Sequence, residues 1–545
     1  MNKPLLLSLA AATLLGTNLN AESMYERIQN MELEMNKMRE ELTTLKAQKP
    51  QEEKEEDEKS LASDDDEEES DEDSDSDEES DEEEDEEMDV EEEITDIQET
   101  LGDLNRATSG NRLKFGVDYR FAVENMNYEM ANGDEAKNDA FMTNRFWMNM
   151  QWSATKNLSF KGQLAYNKAF GARSGANMMN APYDTFDWIA NENAYDDVLR
   201  LRSAYFLYKD GQFLGADIPW TFSIGRRPST NGHLINLRDD DQPASPMGHT
   251  INVEFDGLSS KFSLEKLTGL DGMYVKFCAG RGMSNAAPKF TTTPYAEVTD
   301  ANTNIDLIGL IFTPYDNGQY SLNSQYYYAN NLIDMTNPMN PMEGFDTVGG
   351  MHSFTANLIM NGIGDEWSDF LDDTTFFVSG AMNITDPNDD ARMLYNEFNA
   401  DYTGNVAGQS KTGYSAWAGL QIPSLISEDG RWGLEYNWGS KYWRSITYAE
   451  DTNIGSKMAT RGTAYEAYFT EYLVEDILSM QIRYTYIDYE YSGSNGFFGG
   501  TTGGSMLVEE TAGMMVPDGN GGMVDYGSMV VDKAQDIRFY LRYKY

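Results

Sequence analysis

From residue 111 to the end of the chain, apolar and polar side chains take turns. In "RLKFGVDYRF" Leu113, Phe115, Val117, Tyr119 and Phe121 alternate with Lys114, Gly116, Asp118 and Arg120. "RFWMNMQWS" sets Phe146, Met148, Met150 and Trp152 against Arg145, Trp147, Asn149 and Gln151. "WGLEYNWGSK" sets Trp432, Leu434, Tyr436 and Trp438 against Glu435, Asn437 and Lys441, and "DIRFYLRYKY" carries the same rhythm to Tyr545. A period of two belongs to a strand with one greasy and one wet face. It predicts about sixteen strands, near 112–124, 141–153, 157–168, 197–209, 217–227, 251–266, 272–282, 304–314, 318–329, 347–360, 371–384, 412–422, 431–445, 461–471, 477–491 and 533–545.

The connections alternate long and short. "NMNYEMANGDEAKNDA" follows the first strand and only "ATKN" the second. Long polar segments near 228–250, 283–303, 330–346, 385–411, 446–460 and 492–532 face turns such as "KLTGLDG", "PYDNGQ" and "PSLISEDGR". A soluble sandwich gives no reason for one long end and one short end. An up-and-down transmembrane β-barrel does, with long external loops and short periplasmic turns. The expected fold of 111–545 is therefore an all-β, antiparallel barrel of about sixteen strands. It must close, because lipid tolerates no open sheet edge, and a final strand ending on an aromatic residue suits recognition by the barrel-assembly machinery.

Before residue 111 the pattern differs. "MNKPLLLSLAAATLLGTNLNA" has a lysine, a short apolar run and small residues up to Ala21, and reads as a signal peptide over 1–21. Met24, Ile28, Met31, Met35, Met38, Leu42 and Leu45 follow heptad spacing, which predicts a coiled-coil helix over 22–49 and self-association. A shorter run, Val90, Ile94, Ile97, Leu101 and Leu104, predicts an amphipathic helix over 90–107. The stretch between, 50–89, is an acidic block too charged to bury a core, and disorder is expected. It reads as a solvated spacer, with low-affinity cation buffering as the alternative.

Charge refines this picture. Of a formal net charge of −52, residues 51–100 hold 32 acidic and 2 basic residues. So acidic a chain is a poor partner for nucleic acid. With 1 cysteine (Cys278), there is no disulfide framework, thiolate metal cluster or covalent haem site. The 3 histidines, His233, His249 and His352, fall in or beside predicted loops, and no serine nucleophile with a histidine base stands out. No enzymatic activity, cofactor or metal is expected.

The blocks "DIQETLGDLNRATSGNRLKFGVDYRFAVENMNY", "NRFWMNMQW…NLSFKGQLAYNKAFG" and "RLRSAYFLYKD…FSIGRRPSTNG" resemble a functionally uncharacterised family of Gram-negative porin-like outer-membrane proteins. The likeness covers roughly 94–545 and leaves the acidic block outside it. It implies a barrel in the outer membrane, in contact with lipid and lipopolysaccharide, and a porin role; it implies no substrate and no catalytic residue.

Sixteen strands enclose enough space for an aqueous channel. By alternation Lys114, Arg120, Arg145, Lys161, Arg200, Arg202, Arg227, Arg483, Arg538 and Arg542 face the lumen, as a lipid-facing Arg or Lys costs about 2–4 kcal/mol at the bilayer midplane. The third long loop, "PSTNGHLINLRDDDQPASPMGHT", offers Asp239, Asp240 and Asp241 as a counterpart. If it folds inward toward Arg145, Arg202 and Arg227, it forms a constriction with modest cation preference, passing small hydrophilic solutes or ions. A homotrimer with a periplasmic N-terminal segment is the expected assembly. The alternative is a structural barrel whose acidic arm binds cations, cell wall or a periplasmic partner.

Overall fold

The computed structural model describes residues 113–545, apart from 171–194, 228–229, 285–303, 336–344, 365–366, 392, 395–406, 448–449, 494–504 and 518–520. The signal peptide, coiled coil, acidic block and second helix expected before residue 111 lie outside the described residues.

Sixteen antiparallel strands form a closed barrel. In chain order they are β1 Leu113–Met130, β2 Glu135–Ser153, β3 Leu158–Ala169, β4 Tyr195–Asp210, β5 Trp220–Arg227, β6 Phe255–Ser263, β7 Tyr274–Ser284 and β8 Asn304–Asp316. There follow β9 Tyr320–Met335, β10 Phe345–Asn361, β11 Thr375–Pro387, β12 Thr412–Pro423, β13 Arg431–Gly439, β14 Gly462–Val474, β15 Leu478–Tyr489 and β16 Val531–Lys544. Each pairs with its neighbours in sequence, and β16 closes on β1 from Asp118↔Lys544 to Met130↔Val531. The Val117 and Tyr545 backbones complete the seam with a reciprocal pair of bonds at 2.7 and 2.8 Å.

The alternation sorts residues as lipid demands. Phe115, Leu434 and Ile537 are 61, 58 and 55 % exposed on the outer face. Asp118, Arg120, Arg145, Glu466, Arg483 and Arg538 are buried within. Near the short turns, Tyr208, Phe213, Trp220 and Phe262 pack edge to face or stacked on the outside, an aromatic girdle of the kind found at a membrane interface. An outward apolar belt on an edgeless sheet is the architecture of the outer membrane, and this barrel spans it.

One expected loop is sheet. "NMNYEMANGDEAKNDA" extends β1 and β2 into a hairpin, with Met126↔Asn138 to Glu129↔Glu135 paired and only 131–134 turning. At about 3.3 Å per residue, β1's 18 residues reach well past the 9–11 a bilayer needs. Beyond the lipid neither face must be apolar, so the alternation that marks a spanning strand fades there although pairing continues.

The long-loop half of the barrel is filled. Ile251, Val253 and Phe255 of the segment entering β6 pack with Leu307, Tyr327, Leu332, Met351, Met393 and Ile446. Ile454 and Val508 pack with Met126, Ile487, Tyr489 and Ala534. Inward apolar residues near the external end thus hold loops inside the barrel.

Candidate functional site

Two loops enter the lumen: loop 3 (228–254), between β5 and β6, and loop 7 (440–461), between β13 and β14. A two-residue parallel bridge, Ile446↔Ile251 and Thr447↔Asn252, joins them. Loop 3 then runs down a one-turn helix, Ile235–Arg238, and returns. Its route is fixed by wall side chains: Gln325 accepts from the Met247 amide at 2.9 Å, Gln421 donates to the Leu237 carbonyl at 3.1 Å and Gln481 to the Arg238 carbonyl at 2.9 Å. The His249 imidazole sits between the Ser379 and Ser415 hydroxyls at 2.7 and 2.9 Å, against Trp417 and Trp443. Burial pushes His249 down to about 3, so the ring is neutral.

At the bottom of loop 3 lie the three aspartates. Asp241 accepts from Arg542 and from Lys544, each at 2.8 Å. Asp240 accepts from Arg431 at 3.1 Å and from the Tyr472 hydroxyl. Asp239 is buried beside Arg238 (3.5 Å), and its carbonyl accepts from Arg542 at 2.6 Å. Arg431, Tyr472 and Lys544 sit at the short-turn ends of their strands, so loop 3 crosses most of the depth of the barrel. Burial raises the Asp239 carboxyl, but the Arg238 guanidinium outweighs it and the net shift is downward.

These partners differ from the expected set. Arg145 instead meets Asp118 and Asp451, both at 3.3 Å, and stacks 3.5 Å over the Trp147 ring. Arg202 covers the other approach to that indole at 4.2 Å and pairs with Glu254 at 2.7 Å. Arg227 rests over Tyr205 at 4.7 Å. The reason is register. Loop 3 starts next to Arg202 and Arg227 and must cross the lumen to use its length, so its tip reaches the opposite wall.

The register also places like charges together. Arg145 stands opposite Arg120, and Arg120 opposite Arg542, a row of three guanidinia over β2, β1 and β16. Next to it Arg538 stands opposite Arg483. Directly opposed like charges are destabilising, so the cluster requires acid. Asp118 supplies part through Arg145 and Arg542. Glu124 meets Arg538 at 3.3 Å and Glu466 lies 3.9 Å from Arg483, and loop 7 adds to these. Its Asp451 accepts from Arg120 through both oxygens and from Arg145, and the Asp451 carbonyl accepts from Arg538 at 2.6 Å and Arg483 at 3.3 Å. Burial alone raises the Asp451 carboxyl, but Arg120 and Arg145 hold it well below the usual carboxylate range. Lys457 of the same loop bridges Glu435 and Glu466 at 2.6 and 2.5 Å, and Glu466 also takes Arg238 at 3.2 Å.

Loop 7 was missed by sequence reasoning, which left 446–460 as external polar chain. The signal available was the interleaving of Trp443, Ile446, Ile454 and Met458 with Arg444, Glu450, Asp451 and Lys457. A solvated loop has no use for that many apolar residues. Lys161, the remaining wall residue of the expected set, is half-buried on β3 opposite Tyr205.

Among solved structures the fold is similar to Salmonella typhi OmpF in complex with daunomycin, at 12 % identity and a TM-score of 0.39 over 79 % of this chain and 97 % of that one. It is likewise similar to OmpT, an outer membrane protein of Vibrio cholerae (11 %, 0.39, 79 % and 97 %), and to Pseudomonas putida OprB (13 %, 0.42, 82 % and 97 %). Comparison with curated proteins finds no match. The model of one family matches residues 135–545, three quarters of the sequence, and the chain therefore belongs to the family described as "Protein of unknown function (DUF3373)".

Proposed function

We propose that this barrel is a narrow outer-membrane diffusion channel for small hydrophilic solutes or ions, with loops 3 and 7 setting its bore. The observation that carries the reading is the descent of loop 3 to Arg431, Arg542 and Lys544: a loop tied to the far wall narrows a lumen without abolishing it. The modest cation preference expected from the acid count does not follow from this arrangement, because Asp239, Asp240 and Asp241 are each opposed by a cation of the barrel or of the loop itself. Homotrimeric assembly belongs to the same reading and is supported by the heptads of residues 24–45.

Planar-bilayer recording tests it. The intact protein should give steady, small unit steps, and removing the loop 3 tip, 234–242, should enlarge them. The near-complete burial of Arg238, Asp451 and Lys457 favours a second reading, a structural barrel with an incidental lumen. A silent wild type whose tip deletion conducts would select that second reading, and silence from both would remove the channel reading.

A further inference from the structure

The inner wall on the short-turn side of the barrel divides into two halves. Over β14–β16, β1 and β2 the arginines described above meet carboxylates. Over β3–β7 Arg202 meets Glu254, but the other inward cations named below meet none. Lys161, Lys209, Arg227, Lys261 and Lys276 lie one on each of these five strands, Arg227 at the loop 3 end of β5 and the lysines nearer the short turns. Lys209 is opposite Thr221, Thr221 opposite Lys261, and Lys261 opposite Lys276, so three lysines share one row. Lys114 and Lys161 flank Gln151 in another. Trp220, Phe222, Ile224 and Phe277 occupy the alternate, lipid-facing positions of the same strands, which puts the cations on the lumen side.

Among the described residues none of these six cations makes an ion pair. Arg227 rests on the Tyr205 ring, Lys261 lies 3.7 Å from the centre of the Tyr274 ring, and Lys276 donates to the Ser245 hydroxyl of loop 3. All but one of the acids nearby are engaged elsewhere. Glu254 holds Arg202, Asp217 holds Lys266 at 2.7 Å and Asp210 accepts from the Tyr208 hydroxyl at 2.9 Å; Asp316 of β8, bonded to the Gly318 amide at 3.0 Å, lies close enough to Lys261 to favour its charge. Lys114 and Lys209 are exposed and the other four half-buried, so water reaches all of them. A cavity of about 360 Å³ opens beside Lys209, Thr221 and Lys261.

Fixed charges of one sign along a low-dielectric cleft focus the field and concentrate mobile ions of the other sign. Elsewhere in this lumen fixed carboxylates do that work; here Asp316 faces only Lys261 at the edge of the row, and the other cations are left to diffusible anions. We propose that the β3–β7 wall is a binding site for small anions, inorganic phosphate and chloride among them, and that it makes the pore anion-preferring. The transport half of this statement rests on the channel reading above; the binding half does not.

Two measurements test it. In a potassium chloride gradient the reversal potential should give chloride a permeability several-fold above potassium at 0.1 M salt. The ratio should fall toward one at 1 M, where the Debye length shrinks from about 10 to about 3 Å. The triple variant Lys209→Gln, Lys261→Gln, Lys276→Gln should bring the ratio to one or below at low salt. A wild-type ratio below one, or an unchanged ratio in the triple variant, overturns the selectivity. Independently of conduction, inorganic phosphate should slow acylation of Lys209 and Lys261 in the detergent-solubilised protein several-fold, and leave Lys266, exposed and paired with Asp217, unaffected. Equal protection of all three, or of none, overturns the binding site. A silent bilayer with selective protection removes the channel and keeps the site.

Discussion

The Arg542 guanidinium reaches the Asp241 carboxylate at 2.8 Å across 301 residues of sequence, joining the last strand of the barrel to the tip of its third loop. The same guanidinium holds Asp118 of the first strand, so one side chain ties together the closing seam and the inserted loop. Loop placement and barrel closure are therefore energetically linked, and the consequences can be measured.

Asp451→Asn should be the most damaging single change in the lumen. It leaves Arg120 and Arg145 buried without that carboxylate, and breaking one partner from a buried pair typically costs about 3–5 kcal/mol. The barrel should still insert, with a lower unfolding temperature in detergent and noisier conductance. Asp240→Asn is the control. Its pair with Arg431 is half-exposed on both sides, 47 and 47 %, so the expected cost is under about 1 kcal/mol.

Replacing Asp239, Asp240 and Asp241 together by asparagine frees Arg431 and Lys544 of their counter-charges and leaves Arg238 with Glu466 and Arg542 with Asp118. The reversal potential should move toward anions, more strongly at low salt because screening is weaker. The equivalent change in the sixth loop, at Asp386, Asp389 and Asp390, should do much less. Equal shifts from both triples would mean that loop 3 does not set the pore.

Acid should loosen loop 3 through His249. The folded protein keeps this ring neutral down to about 3, whereas the unfolded chain takes a proton near 6.5. Between those values the unfolded state binds more protons, so stability rises with pH and is lost as pH falls below about 6.5, by up to about 1.4 kcal/mol per unit. Asp451 acts in a lower window: its stabilisation is present above the unfolded value near 3.9 and disappears only as pH falls through its depressed folded value. Unfolding measured from pH 7 to 4.5 should thus show a loss that His249→Asn reduces, the remainder including His233, whose ring is also held down by burial.

A chain lacking residues 22–105 should give a folded barrel of normal heat resistance and a weaker oligomer by cross-linking, since methionine-rich heptads specify assembly only loosely. A tag beside Asp75 should escape antibody on intact cells, because sixteen strands return both barrel ends to one side and short turns mark that side as periplasmic.

The strands were legible because lipid leaves the sequence little choice. Phe115, Tyr119 and Phe121 must face out while Asp118 and Arg120 face in, and that alternation needs no knowledge of neighbours. Partner choice inside the lumen is another matter. Whether Arg145 meets Asp118, Asp241 or Asp451 depends on register and on how far a loop travels, neither of which is written locally. Asp451 itself looks like any surface acid in "TYAEDTNIGS". Lys209, Lys261 and Lys276 become a group only when β4, β5, β6 and β7 lie side by side.

The opposed arginines at the seam bear on the order in which the molecule is made. Arg120 and Arg542 belong to the first and last strands, the two edges that meet last when a barrel zips shut. Asp118 and Glu124 of the first strand already meet Arg542 and Arg538 of the last across that seam, and Asp451 before Arg120 and Asp241 before Arg542 add to the closure that these wall acids begin. The arginine row thus favours copies that have taken their loops inside, the arrangement that supplies Arg120 with the Asp451 carboxylate.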